Sequence, residues 1–158
     1  MSYDFNADEI FEMAEQMERN GAKFYRDAAE GDLNAEEKAW LLQLAQMEDA
    51  HEKTFKSIRE TLTADDAQST VFDPQGESAL YLKALVDTRV FYEKEINTSN
   101  MRGILKAAIQ AEKDSIVFYL GMKEAVAQDK GKARIDEIIK EEMGHIRLLS
   151  RELTAYKA

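Results

Sequence analysis

Apolar residues recur along the chain at alternating steps of three and four, the mark of one buried face on an α-helix. The pattern predicts five helices, over residues 7–30, 35–63, 77–96, 101–128 and 132–156. Asn6 with Glu9, and Asn34 with Glu37, have the spacing of a capping box, in which paired side chains satisfy free N–H groups of the first turn. Gly31 stands at the first stop, where a residue without Cβ readily leaves the helical conformation, and Gly131 precedes the last helix. Residues 64–76 carry the single proline and a run of polar turn formers, and read as a loop. At ~1.5 Å rise per residue, the four long helices are each roughly 35–40 Å, matched lengths that suit a bundle. Short connections at 31–34 and 129–131 fold them into two antiparallel pairs, 7–63 and 101–156. Residues 64–100 then cross from one pair to the other, with their own helix lying on the outside. The fold class expected is all-α: a four-helix bundle of two repeated antiparallel helix pairs joined by a long helical crossover, in one domain spanning 1–158.

The two pairs repeat one another at an offset of 94 residues. Glu18 maps to Glu112, Phe24 and Tyr25 to Phe118 and Tyr119, Glu48 to Glu142, and His51 to His145. Ala14, Leu41 and Leu44 map to Ala108, Ile135 and Ile138. Self-similarity at a fixed offset implies one helix-pair unit used twice, related by a pseudo-twofold axis.

The repeat also marks where the apolar pattern breaks. Stepping along the seam of each helix gives Leu41, Leu44, Glu48, His51, Phe55 and Ile58 in the second, and Ile135, Ile138, Glu142, His145 and Leu149 in the last. The first gives Phe11, Ala14, Glu18, Gly21, Tyr25 and Ala28; its counterpart gives Leu105, Ala108, Glu112, Ser115, Tyr119 and Met122. Each helix therefore puts ionisable residues near the middle of a greasy stripe, and all should meet in one layer. Four carboxylates and two imidazoles in a dry core need compensation, because an isolated buried ion is strongly disfavoured and crowded carboxylates would have to protonate. No Lys or Arg lies on the seams. Two divalent cations would balance four Glu, leaving His51 and His145 as neutral ligands. The i, i+3 spacing within Glu48–His51 and Glu142–His145 puts each Glu and His on one helix face. One Glu from each of two helices, with Glu-x-x-His from the other two, is the donor pattern of di-iron and di-manganese carboxylate bundles. Hard oxygen ligands with imidazole suit Fe or Mn, and Zn can substitute in purified protein.

Composition narrows the remaining classes. Only 7 Gly and 1 Pro fit helix throughout. With no cysteine, disulfides, iron–sulfur clusters, thiol catalysis and Cys-ligated zinc are excluded. Lys plus Arg is 21 against 31 for Asp plus Glu, a net charge of −10, which argues against binding a phosphate backbone. The longest nearly apolar run, around 115–122, falls far short of the ~20 residues that span a bilayer. Residues 1–5 lack the basic start and apolar stretch of a signal peptide. A cytoplasmic protein that engages neither nucleic acid nor membrane is the expectation.

The strings MERNGAKFYRDAAE (17–30), LAQMEDAHEKTF (44–55), AIQAEKDSIVFY (108–119) and IIKEEMGHIRLL (138–149) resemble the rubrerythrin-like branch of the ferritin-like superfamily, over essentially the whole chain. The resemblance implies a ferritin-like four-helix bundle holding two iron ions, with Glu48 and Glu142 bridging and Glu18 and Glu112 as terminal ligands. It implies a non-haem di-iron oxidoreductase that oxidises Fe(II) or reduces H2O2 or O2, of ferroxidase or peroxidase type, in iron or oxidative-stress homeostasis, and a homodimer. Typical rubrerythrins add a rubredoxin domain with four cysteines; this chain has none, so any electron donor is expected to be a separate protein. They also carry an extra Glu where this chain has Ser115, so a symmetric four-Glu, two-His site nearer to ferroxidase centres is the expectation. A di-manganese catalase and a non-enzymatic iron-binding or storage protein are the alternatives.

Three further features stay open in the sequence. Tyr25 and Tyr119 lie two turns beyond their metal-layer Glu, ~10 Å along the axis. They read either as core aromatics with a satisfied hydroxyl or as hydrogen-bond donors and radical relays beside the site. Gly144, in a helix interior, marks either close packing of the crossover or room for an exogenous ligand. The histidines' outer ring nitrogens require partners if metal binds, and the sequence does not name them.

Overall fold

Local signals set the helix limits. A computed structural model describes residues 7–61, 81, 84, 100–125 and 129–156. It contains helices α1 (Ala7–Ala29), α2 (Ala35–Glu60), α3 (Met101–Ala125) and α4 (Asp129–Ala155). Asn34 caps α2, its side-chain oxygen accepting from the Glu37 N–H at 2.9 Å. The return bond differs from the capping-box expectation: the Asn34 side-chain amide donates to Glu37 Oε1 at 2.6 Å. Asn100 caps α3 in the same manner, accepting from the Gly103 N–H at 2.8 Å. Asn6 lies outside the described residues.

Two boundaries move. α2 stops at Glu60 rather than 63, because the Thr61 backbone N–H and hydroxyl both turn back onto the Ile58 carbonyl, at 3.0 and 2.6 Å. α4 begins at Asp129, three residues before the expected start, and Gly131 is buried within its first turn. The connection expected at 129–131 is therefore helix. The helix expected over 77–96 and the loop over 64–76 lie outside the described residues, apart from Tyr81 and Ala84. Tyr81 donates its hydroxyl to the Val117 carbonyl on α3 at 3.2 Å.

The seams close into a bundle. α1 packs along α2 and α3 along α4; the pairs meet through α1 against α3 and α2 against α4. Two apolar clusters fill the interior, and all four helices contribute to each. One gathers Phe11, Met17, Phe55, Phe118, Tyr119 and Ile135 with their neighbours. The other gathers Tyr25, Leu41, Leu44, Ile104, Leu105 and Leu149 with theirs. The second cluster holds the C-terminal halves of α1 and α4 and the N-terminal halves of α2 and α3, so α2 and α3 run parallel and each pair is antiparallel. Each fully buried Leu, Ile or Phe contributes roughly 1.5–3 kcal/mol, so the clusters clamp the bundle from both ends. Outside the seams, Arg59 reaches from α2 to Asp8 at 2.6 Å and Glu15 at 2.8 Å on α1. Arg19 pairs with Glu52 at 2.8 Å, and Lys123 on α3 with Asp136 on α4 at 2.7 Å. No helix among the described residues is long and apolar enough to cross a membrane.

Candidate metal centre

The layer between the two clusters is polar. Glu18, Glu48, His51, Glu112, Glu142 and His145 are each at most 5% exposed and converge there, one Glu from α1 and from α3 and a Glu–His pair from α2 and from α4. One ligand atom from each of Glu18, Glu48, His51 and Glu142 lies within 4.8 Å of the other three. The same holds for Glu48, Glu112, Glu142 and His145. Each group could hold a metal ion, and the two groups share Glu48 and Glu142. Each draws three residues from one helix pair and a single carboxylate from the other, as a pseudo-twofold arrangement requires.

Both imidazoles turn Nδ1 into the layer. His51 Nδ1 is 2.7 Å from Glu142 Oε1 and 3.6 Å from Glu18 Oε2. His145 Nδ1 is 3.4 Å from both Glu48 Oε1 and Glu112 Oε1, and 3.5 Å from Glu142 Oε2. The rings stack 5.5 Å apart, inclined by 18°. Gly21 brings α1 close over this layer, since a Cβ there would stand 3.4 Å from Glu48 Oε2. Ser115 offers nothing to the layer; its hydroxyl donates to the Ala111 carbonyl of its own helix at 3.1 Å.

The chemistry of these donors fits a pair of cations. Among the described residues, the buried side-chain atoms without a hydrogen-bond partner are Glu18 Oε2, Glu48 Oε1, both carboxylate oxygens of Glu142, Nδ1 of both histidines, and the Asn20 amide nitrogen. All but the last belong to the layer. Native proteins leave few buried polar atoms unpaired, and such concentration in one place points to a missing partner. Metal–ligand bonds of ~2.1 Å put opposite ligands ~4.2 Å apart, so donors within 4.8 Å need only a slight contraction.

Without a cation, protons must do the balancing. Burial, then neighbouring carboxylates, push Glu18, Glu48 and Glu142 up from the usual carboxylate range. Burial also favours the neutral form of Glu112, but donors from Glu142, His145 and Tyr25 outweigh it and draw the carboxyl down. Burial pulls both imidazoles down, yet surrounding carboxylates, Glu142 first for His51 and Glu112 first for His145, push them up to about 11 and about 12. A metal entering here displaces protons, so its affinity rises with pH.

Two sets of partners surround the layer. The Tyr25 hydroxyl donates to Glu112 Oε1 at 2.7 Å, and the Tyr119 hydroxyl donates to Glu18 Oε1. Both tyrosines are buried, and burial with nearby carboxylates holds their hydroxyls well above the ordinary phenol value, so they remain donors. Each serves the Glu of the opposite helix pair, a connection the sequence offset does not reveal. Glu141 is the residue sequence reasoning missed: its Oε2 lies 2.5 Å from His51 Nε2, on the outer side of the ring. Its only sequence signal is adjacency to Glu142. A Cβ at Gly144 would meet no described atom within 4 Å; the crossover, its expected packing partner, lies outside the described residues apart from Tyr81 and Ala84.

The architecture and the layer together define a ferritin-like helical bundle whose buried carboxylate–histidine cluster could bind metal. The chain is similar to a solved structure from Thermotoga maritima, provisionally described as a ferritin-like diiron-carboxylate protein, with 25% identity and a TM-score of 0.73 over 98% of each chain. No protein-family model matches the sequence, and no curated protein sequence matches it.

Proposed function

We propose that the chain is a rubrerythrin-like, non-haem di-iron carboxylate oxidoreductase that oxidises Fe(II) and reduces O2 or H2O2. The observation that carries this reading is the set of unpaired donor atoms on Glu18, Glu48, His51, Glu142 and His145, gathered into two overlapping groups. Glu48 and Glu142, common to both groups, would serve both cations; Glu18 with His51, and Glu112 with His145, would complete the two positions. Four carboxylates against two divalent cations make a neutral interior, which a dry core requires. A bound pair of irons would supply two electrons to one oxidant molecule, the number that takes H2O2 and two protons to two waters.

The chain's own residues prepare the site for that work. The apolar clusters keep bulk water from both ends of the layer. Tyr25 and Tyr119 fix the orientation of Glu112 and Glu18 and hold a proton at each hydroxyl beside the ligand oxygen. With Ser115 in place of a further carboxylate, the donor set is symmetric, which favours Fe(II) oxidation over peroxidase turnover of the rubrerythrin kind. In this reading, electrons for repeated turnover come from a separate donor protein.

Anaerobic loading should take up two Fe(II) per chain, and O2 or H2O2 should then produce rapid absorption by an oxidised two-iron centre. Uptake below two, or no reaction with either oxidant, defeats the proposal. Elemental analysis of freshly isolated protein tests the metal itself; manganese with O2 evolution from H2O2 would replace this reading with a catalase.

A further inference from the structure

The internal repeat predicts equal surroundings for the two histidines, and the structure departs from that symmetry most plainly at their outer ring nitrogens. Glu141 Oε2 stands 2.5 Å from His51 Nε2. With Nδ1 turned to the ligand layer, Nε2 must carry the ring proton and donate it to Glu141. Stepping back by 94 residues, the residue equivalent to Glu141 is Met47, whose thioether cannot take that role. Among the described residues no side chain bonds His145 Nε2. His145 itself lines a cleft of about 380 Å³ together with Met47, Glu141, Gly144, Arg147, Leu148 and Arg151. Met47 and Leu148 are 41% and 40% exposed there, so His145, unlike His51, is flanked by side chains open to solvent that offer no carboxylate to its ring.

We infer that Glu141 is a positioning residue that makes the two metal positions unequal: the His51 position binds first and holds tightly, and the His145 position, beside the open cleft, is the weaker and more readily exchanged. This rests on the di-metal reading of the layer. A carboxylate on the far nitrogen of a ligating imidazole fixes its tautomer and orientation and strengthens it as a ligand; losing such a partner typically lowers metal affinity ~10–100-fold. Among the described residues, His51 has that partner and His145 has none.

Co(II) titrated into metal-free protein, followed by its visible absorption and by competition with a chelator, tests the assignment. The native chain should bind two Co(II) with constants ~10–100-fold apart. Glu141→Met, which copies the other repeat, should weaken the tighter constant by about that factor and leave two nearly equal sites. Met47→Glu, which installs the missing carboxylate beside His145, should strengthen the weaker constant, a gain that a merely structural role for position 47 would not give. Both positions are exposed, so the variants should keep the native helix content by circular dichroism. Two equal constants in the native chain, or constants unmoved by both substitutions, would overturn the inference while leaving the metal site intact. A native chain that binds no Co(II) would overturn it together with the di-metal reading.

Discussion

Replacing Tyr119 by Phe isolates one bond of the layer. The ring is fully buried and its hydroxyl donates to Glu18 Oε1, whose partner oxygen Oε2 already lacks a donor. Phe keeps the ring's packing against Phe55 and Phe118. No water replaces the lost donor in so enclosed a place, so Glu18 is left with neither oxygen satisfied by a hydroxyl. Leaving a buried acceptor without its donor costs ~1–3 kcal/mol, and a central loss of ~2 kcal/mol is expected in the metal-free chain. For a protein of this size ~1 kcal/mol moves the midpoint by ~2–4 °C, so Tm should fall by ~4–8 °C. Thermal unfolding by circular dichroism at neutral pH measures it. Repeating the substitution in a Glu18→Gln background should shrink the loss to ~1 kcal/mol or less, because the carboxyl that the hydroxyl serves is then gone. A drop under about 1 °C in the native background, or the same drop in both, would show that the hydroxyl does not support Glu18. The pseudo-twofold predicts a matching loss for Tyr25→Phe, acting on Glu112.

Acidity gives a second test, with opposite signs for the metal-free and loaded forms. The imidazoles move from 6.5 when unfolded to about 11 and about 12 when folded, and Glu18, Glu48 and Glu142 are raised from 4.5, so the folded metal-free chain holds the extra protons. The imidazole contribution is full below about pH 6.5 and is lost as pH rises towards 11, while the raised carboxyls make folding less favourable in the same direction. Metal-free Tm should therefore fall between about pH 6 and about pH 9, while the added stabilisation by metal grows; a metal-free Tm that climbs over this range contradicts the site's electrostatics. Gly144→Ala adds a methyl that meets no described atom within 4 Å and should raise Tm by ~2–4 °C, from ~1 kcal/mol of helix preference; a fall would mean that the position is sterically confined.

The seams and the internal repeat carry most of the arrangement in readable form. Heptad stepping places Glu48, His51, Glu142 and His145 on inward faces, and the structure puts them in the layer, because a polar residue at a seam position has nowhere else to point. Cross-pair partners are harder to read. Tyr25 lies two turns from Glu18 on its own helix, yet it meets Glu112 of α3. A helical side chain leans towards its own N-terminus, so a tyrosine placed beyond the layer reaches back into it, where the facing helix supplies the acceptor. Glu141 is less legible still: it projects at the surface, and only the lateral placement of α4 beside α2 brings it to His51. The shift of the α4 start to Asp129 has a simpler origin, since Gly131 reads as a breaker in sequence but is tolerated, buried, in a first turn.

The crossed ligation has a consequence for assembly of the fold. Since each position borrows a carboxylate from the opposite hairpin, and each tyrosine clasps the opposite hairpin's Glu, neither half of the chain contains a finished site. Two copies of one half, brought face to face about a dyad, would supply the same set of donors. The covalent link between the halves is what frees the two copies to differ, and Glu141 opposite Met47 is where they have done so.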